Sequence, residues 1–222
     1  MDRTLTPEVP VKGAAQAAQP WKSFLLVVAG NAGLILLIVL LDRVYGIDYW
    51  NIVRDPNAIA GQPAYFGFYS GMGSVLWLVA GATTLFAAGC LRHAGAPDRR
   101  RLLLFLGGLF CMIAGLDDLF MLHEQSYRIG IPEKLVMAVY ALFLMAVAAA
   151  AYPVFRNTNW IYFAAALLCL GTSALVDMAD LALSGAVLIE ETLKFTGIAF
   201  LAAYLVSLAA AAMAAALGRR SL

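Results

Sequence analysis

Three segments of an otherwise apolar chain concentrate the residue types of acid–base and metal chemistry. The first runs from Gly115 to Glu124 and contains Asp117, Asp118, His123 and Glu124. At 100° per residue on an unbroken helix, Asp117 and Glu124 lie about 20° apart, two turns from each other. Asp118 and His123 then flank that face on opposite sides. The second segment places Ser173, Asp177, Asp180 and Ser184 within about 60° of helical arc, a single polar stripe. In the third, Glu190 precedes Lys194 by four residues, the favoured order for a helical ion pair, and Glu191 precedes it by three. Gly197 and Tyr204 continue the Glu190–Lys194 face, and the glycine leaves room for a neighbouring backbone.

Carboxylate oxygen suits Ca²⁺, Mg²⁺ or Mn²⁺, while one histidine with two carboxylates and an open position suits Zn²⁺ or iron. Asp117, His123, Glu124 and Asp177 are the candidate metal ligands. Asp117, Asp177 and Glu190 are the candidate catalytic carboxylates. Asp118, Asp180, Glu191, Lys194, Tyr69 and Tyr140 stand as supporting residues. A metal-activated water at such a site would suit hydrolysis of a lipid or its headgroup. The other histidine, His93, falls in an arginine-rich loop, and no GxSxG, HExxH or Cys-His nucleophile arrangement occurs.

The elements that must position these groups are membrane spans. The chain has 222 residues, 63% hydrophobic and 13% charged, with mean hydropathy +0.82. So little polar surface cannot cover a water-soluble domain but is enough for a bundle in lipid. Six segments reach the roughly 20 apolar residues a span needs: about 23–41, 66–91, 102–122, 135–155, 160–183 and 187–217. The expected fold is an all-α integral membrane protein, a six-helix bundle over residues 22–222 behind a mobile polar tail, 1–21. The short connection at Ser184-Gly185 predicts a tight hairpin between spans five and six. Cys90, Cys111 and Cys169 all fall in apolar runs and read as reduced structural thiols.

Lysine and arginine set the expected orientation. Ten fall in the tail, in the loops after spans two and four, and after span six; the other side has only Arg43, Arg54, Arg128 and Lys134, with Lys194 inside span six. Both termini are therefore expected in the cytoplasm, the protein residing in the plasma (inner) membrane. The acids sort oppositely: eleven of the fourteen lie on or near the outward side. Asp48, Asp55 and Glu133 read as solvated loop charges. Asp117, Asp177 and Lys194 share a depth of roughly 9–11 Å at 1.5 Å per residue. Tyr65, Tyr69, Ser70 and Tyr140 fit the same level, and Gly67, Gly71 and Gly73 offer close packing for span two.

A net charge of +1 gives no reason to expect nucleic acid as a partner. Three functions compete: a metal-assisted membrane-embedded enzyme, a non-enzymatic subunit of a membrane complex that packs through the alanine-rich end of span six, and a proton- or cation-coupled transporter. The transporter reading lacks ionisable groups in the inner half. A salt-bridge network around Lys194 is the purely structural alternative, and it leaves most of the deep carboxylates without a cation.

Overall fold

A computed structural model of the chain describes residues 20–93, 98–179 and 185–218. Among the described residues all regular structure is helical. Six helices are long and apolar enough to cross a membrane: α1 (Pro20–Tyr45), α2 (Phe68–His93), α3 (Asp98–Phe120), α4 (Glu133–Ala151), α5 (Trp160–Met178) and α6 (Ala186–Gly218). They follow the six apolar runs of the sequence to within a few residues. The expected tail lies outside the described residues except for Pro20 and Trp21. The turn between α5 and α6 likewise lies outside them, apart from Gly185, whose φ of +92° suits glycine.

The chain divides into two compact units, Met1–Phe66 and Gly67–Leu222, where the sequence reading draws no boundary. In the first, α1 is followed by two short helices, Tyr49–Val53 and Pro56–Ile59. Asp48 caps the earlier one by accepting from the Trp50 N–H at 2.9 Å, and the Arg54 guanidinium lies 4.7 Å from the Trp50 ring centroid. Aromatic and charged side chains thus meet in this segment.

In the second unit α2 packs against α3 and α6, α5 against α6, and α4 against α3. Small residues make the closest approach. A Cβ on Gly108 of α3 would lie 2.6 Å from Thr84 Oγ1 and 3.1 Å from the Gly81 carbonyl oxygen of α2. A Cβ on Gly197 would lie 2.9 Å from the backbone nitrogen of Leu170, the close passage its sequence position suggested. The glycines expected to serve α2 do not do so. Gly67 and Gly71 face open space, and Gly73 has room for an ordinary contact at 3.4 Å with Ile198. Close packing falls lower on α2, at Gly81, because α3 presents its own glycine there.

Trp77, Phe110 and Phe143 form a chain of edge-to-face rings at 5.6 and 5.5 Å, the favoured aromatic geometry. Of the alanines near the end of α6, Ala209 and Ala212 are buried inside the chain, while Ala210, Ala211, Ala214 and Ala215 are exposed. Val79, Phe86, Leu142, Leu168 and Leu175 are all more than half exposed, a surface suited to an apolar medium.

The two glycine patterns make a direct comparison. Gly108→Ala should cost about 1–3 kcal/mol through overpacking, whereas Gly71→Ala should leave stability unchanged or raise it by up to about 1 kcal/mol through helix propensity. Thermal melting of both variants in the same detergent checks this; an equal response of the two would contradict the α2–α3 packing.

Candidate functional site

The site depends on how α3 ends. Met121 adopts a left-handed conformation, φ 52° and ψ 43°, which stops the helix at Phe120. A short helix, Leu122–Gln125, and a 3₁₀ turn, Ser126–Ile129, follow. An unbroken helix would set Asp117 and His123 about 120° apart. The break instead folds His123 back over Asp117. Its backbone N–H donates to Asp117 Oδ1 at 2.8 Å, and Nδ1 meets Asp117 Oδ2 at 2.5 Å. Because a carboxylate only accepts, Nδ1 carries the proton and Nε2 is left for other work.

Left-handed backbone at a non-glycine residue costs roughly 1–2 kcal/mol. Two hydrogen bonds to one carboxylate offset that cost. Ser126 helps hold the return, its buried hydroxyl 2.7 Å from the His123 carbonyl oxygen and 3.0 Å from that of Ile131. Asp117 is only 5% exposed and is the one fully buried acid among the described residues.

A second group joins α2, α3 and α6. Lys194 Nζ lies 2.6 Å from Glu191 Oε1 and 3.5 Å from Asp118 Oδ1. Asp118 Oδ2 accepts from Ser74 Oγ at 2.8 Å. Helical spacing offers Lys194 either Glu190 or Glu191 as a partner; the lysine bonds to Glu191. The Glu190 backbone carbonyl accepts from Ser173 Oγ at 3.0 Å, tying α6 to α5.

Both groups line one cavity of ≈ 320 Å³, near the lower end of small-molecule pockets at about 300–1,000 Å³. Asp117, Asp177 and Glu190 reach it from α3, α5 and α6, and Asp118, His123, Glu124, Glu191, Lys194 and Tyr140 share it. Trp77, Phe110, Met137, Leu144, Leu167 and Leu170 supply apolar wall. Seven carboxyl groups thus face one lysine and one histidine. Tyr69 is not part of the lining: its ring packs on Phe195 at 4.9 Å. Asp180 lies outside the described residues.

Two contributors escape the sequence reading. Glu133, taken there as a solvated loop charge, lines the cavity. Its place in the first turn of α4, after Pro132, favours an acid through the helix dipole, but spacing alone does not show where it points. Ser74 lies one turn after Ser70 in an apolar helix, and no local signal marks it as a partner of Asp118.

As to metal, no three His, Cys, Asp or Glu side chains among the described residues are grouped so that they could hold an ion. Both oxygens of Asp117 are engaged by His123. The remaining donors, His123 Nε2 and the carboxylates of Glu124, Asp177 and Glu190, belong to a shared cavity wall rather than a closed coordination shell.

The imidazole is tuned by the same contacts. The hydrogen bond to Asp117 raises the His123 pKa above 6.5; burial opposes this, and the charges of Asp117, Glu124 and Glu133 reinforce it. A folded-state pKa above the unfolded one means the stabilisation is complete below about pH 6.5 and is lost as pH rises through the folded value. Wild-type melting temperature should therefore fall, as pH rises past about 6.5, more steeply than that of His123→Gln. Parallel slopes would show that the pair contributes no pH-dependent stability.

Residues 24–208 match the family described as Domain of unknown function (DUF8692). The chain belongs to that family. No curated protein and no solved structure matches it. The matched region spans Ser74, Asp117, His123, Asp177 and Lys194, so the whole described site lies within the family's domain.

Proposed function

We propose that this protein is a membrane-embedded enzyme that hydrolyses an amphiphile, with Asp117 and His123 as its acid–base pair. One observation carries the reading: a histidine whose Nδ1 is held by a buried carboxylate lines a cavity that is part apolar and part charged. Such a pair holds the ring in one tautomer and keeps Nε2 available. Nε2 takes a proton from water as the water oxygen bonds to the substrate's acyl carbon. The bond to the leaving oxygen or nitrogen then breaks, and that atom takes the proton back. Excess carboxylate around the cavity favours a neutral or cationic head over an anionic one. The volume suits a headgroup and part of one chain.

Six apolar helices with exposed aliphatic surfaces support insertion in the lipid bilayer. The lysine and arginine bias supports both termini lying in the cytoplasm of a cell whose plasma (inner) membrane holds the protein. With native cysteines removed, a cysteine at Asn51 should react with an impermeant thiol reagent on intact cells, and one at Ser221 should not. The reverse pattern would invert the topology.

A divalent ion, Zn²⁺, Ca²⁺, Mg²⁺ or Mn²⁺, would replace the Nε2 base rather than assist it, because a ligating nitrogen has no lone pair for a proton. It would use His123 Nε2 with Glu124, Asp177 or Glu190, and Asp117 would orient the ring rather than ligate. Bound there, it would supply a more acidic water. The deciding experiment presents the protein in nanodiscs with single-chain amphiphiles joined to their heads by ester or amide bonds, with chelator and with each ion. Cleavage seen by mass spectrometry and lost in Asp117→Asn supports the proposal; no cleavage under any condition ends it.

A further inference from the structure

Resting on that hydrolytic reading, we infer that Lys194 is a catalytic residue, the group that stabilises negative charge developing on the substrate's carbonyl oxygen. Attack by water on an acyl carbon drives an electron pair onto that oxygen, and a fixed donor aimed there lowers the barrier. In this cavity the need is acute. The oxyanion would form among seven carboxyl groups, and Lys194 is the sole lysine or arginine lining the cavity among the described residues.

The lysine is built in rather than dangling. Glu191 on its own helix and Asp118 on α3 hold the ammonium, and Ser74 on α2 holds Asp118. Three helices thereby set its position. An ammonium has three N–H donors; Glu191 takes one at 2.6 Å, and Asp118 faces a second as an ion pair at 3.5 Å. The third is available to a ligand. His123 and Lys194 line the same cavity, as a base and an electrophile acting on one ligand must. Ser74 and Asp118 act through Lys194 and are positioning residues. The substrate class follows: a carbonyl-containing, singly acylated amphiphile, an ester or amide, whose oxygen becomes anionic during reaction.

Octylboronic acid tests this without turnover. It adds water to become a tetrahedral anion, releasing a proton that His123 can take, whereas 1-octanol has the same chain and forms no anion. Binding is read from Trp77, which lines the cavity, in full-length protein whose other three tryptophans are replaced by phenylalanine, in neutral nanodiscs. The boronic acid should bind at least about tenfold tighter than the alcohol, the scale of one charge-assisted contact. Lys194→Met should abolish the preference and Lys194→Arg should keep part of it. Ser74→Ala should reduce it several-fold, with Ser74→Thr restoring it. Absence of the preference in wild type, or its persistence in folded Lys194→Arg and Ser74→Ala at full strength together with Lys194→Met, overturns the inference. Lysine-dependent boronate binding with no cleavage of any amphiphile overturns the hydrolytic reading alone. Cleavage whose kcat is indifferent to Lys194→Met overturns the role of Lys194 alone.

Discussion

Asp117→Asn is expected to lower kcat by about 10²–10⁴-fold, the usual contribution of a positioned acid–base group. An amide cannot accept two hydrogen bonds on both arms, so either the His123 backbone N–H or its ring N–H loses its partner. The ring then has no reason to keep the tautomer that leaves Nε2 unprotonated. His123→Gln is expected to cost a similar factor. Because the two residues act as one unit, the double variant should be no more than a few-fold slower than either single variant. Independent, multiplying losses would show that the 2.5 Å contact is not the functional pair.

The second large effect concerns stability. Lys194→Met leaves Glu191 and Asp118 without their shared cation, in side chains only 24% and 12% exposed. Breaking a fully buried pair costs roughly 3–5 kcal/mol; partial access to water should bring this loss to about 2–3 kcal/mol. Melting curves of wild type and Lys194→Met, each with chelator and with Zn²⁺, Ca²⁺, Mg²⁺ or Mn²⁺, also bear on a bound ion. If a divalent ion belongs to the cavity, it raises the wild-type melting temperature by mass action and recovers part of the Lys194→Met loss. If no ion shifts either curve, the carboxylates are balanced by the lysine, the histidine and protons. A loss below about 0.5 kcal/mol would place the pair among ordinary surface contacts.

Much of the architecture was legible because hydropathy is additive along a chain. Each of the six apolar runs became a helix within a few residues of its expected bounds. The site was half legible. The expectation that Asp117, Asp177 and Glu190 converge came from similar depth and inward stripes, and all three line one cavity. The exact partners were not legible. Helical spacing admits both Glu190 and Glu191 as neighbours of Lys194, and it gives no sign of Asp118 on another helix, which shares the ammonium with Glu191. Tyr69 has the right depth, yet Phe195 lies close enough to take its ring out of the cavity.

The residue sequence by itself determined the helical class, the number of apolar segments and the segments in which the acids are concentrated. All of these are sums over local composition, insensitive to how the helices are arranged. Tertiary structure alone decided which side chains meet. One left-handed residue, Met121, turns an expected flanking histidine into the partner of a buried aspartate. One glycine pair, Gly81 and Gly108, sets α2 against α3 so that Ser74 reaches Asp118. Contacts of this kind turn on single dihedral angles and on which neighbour arrives, and a pattern read along one helix contains neither.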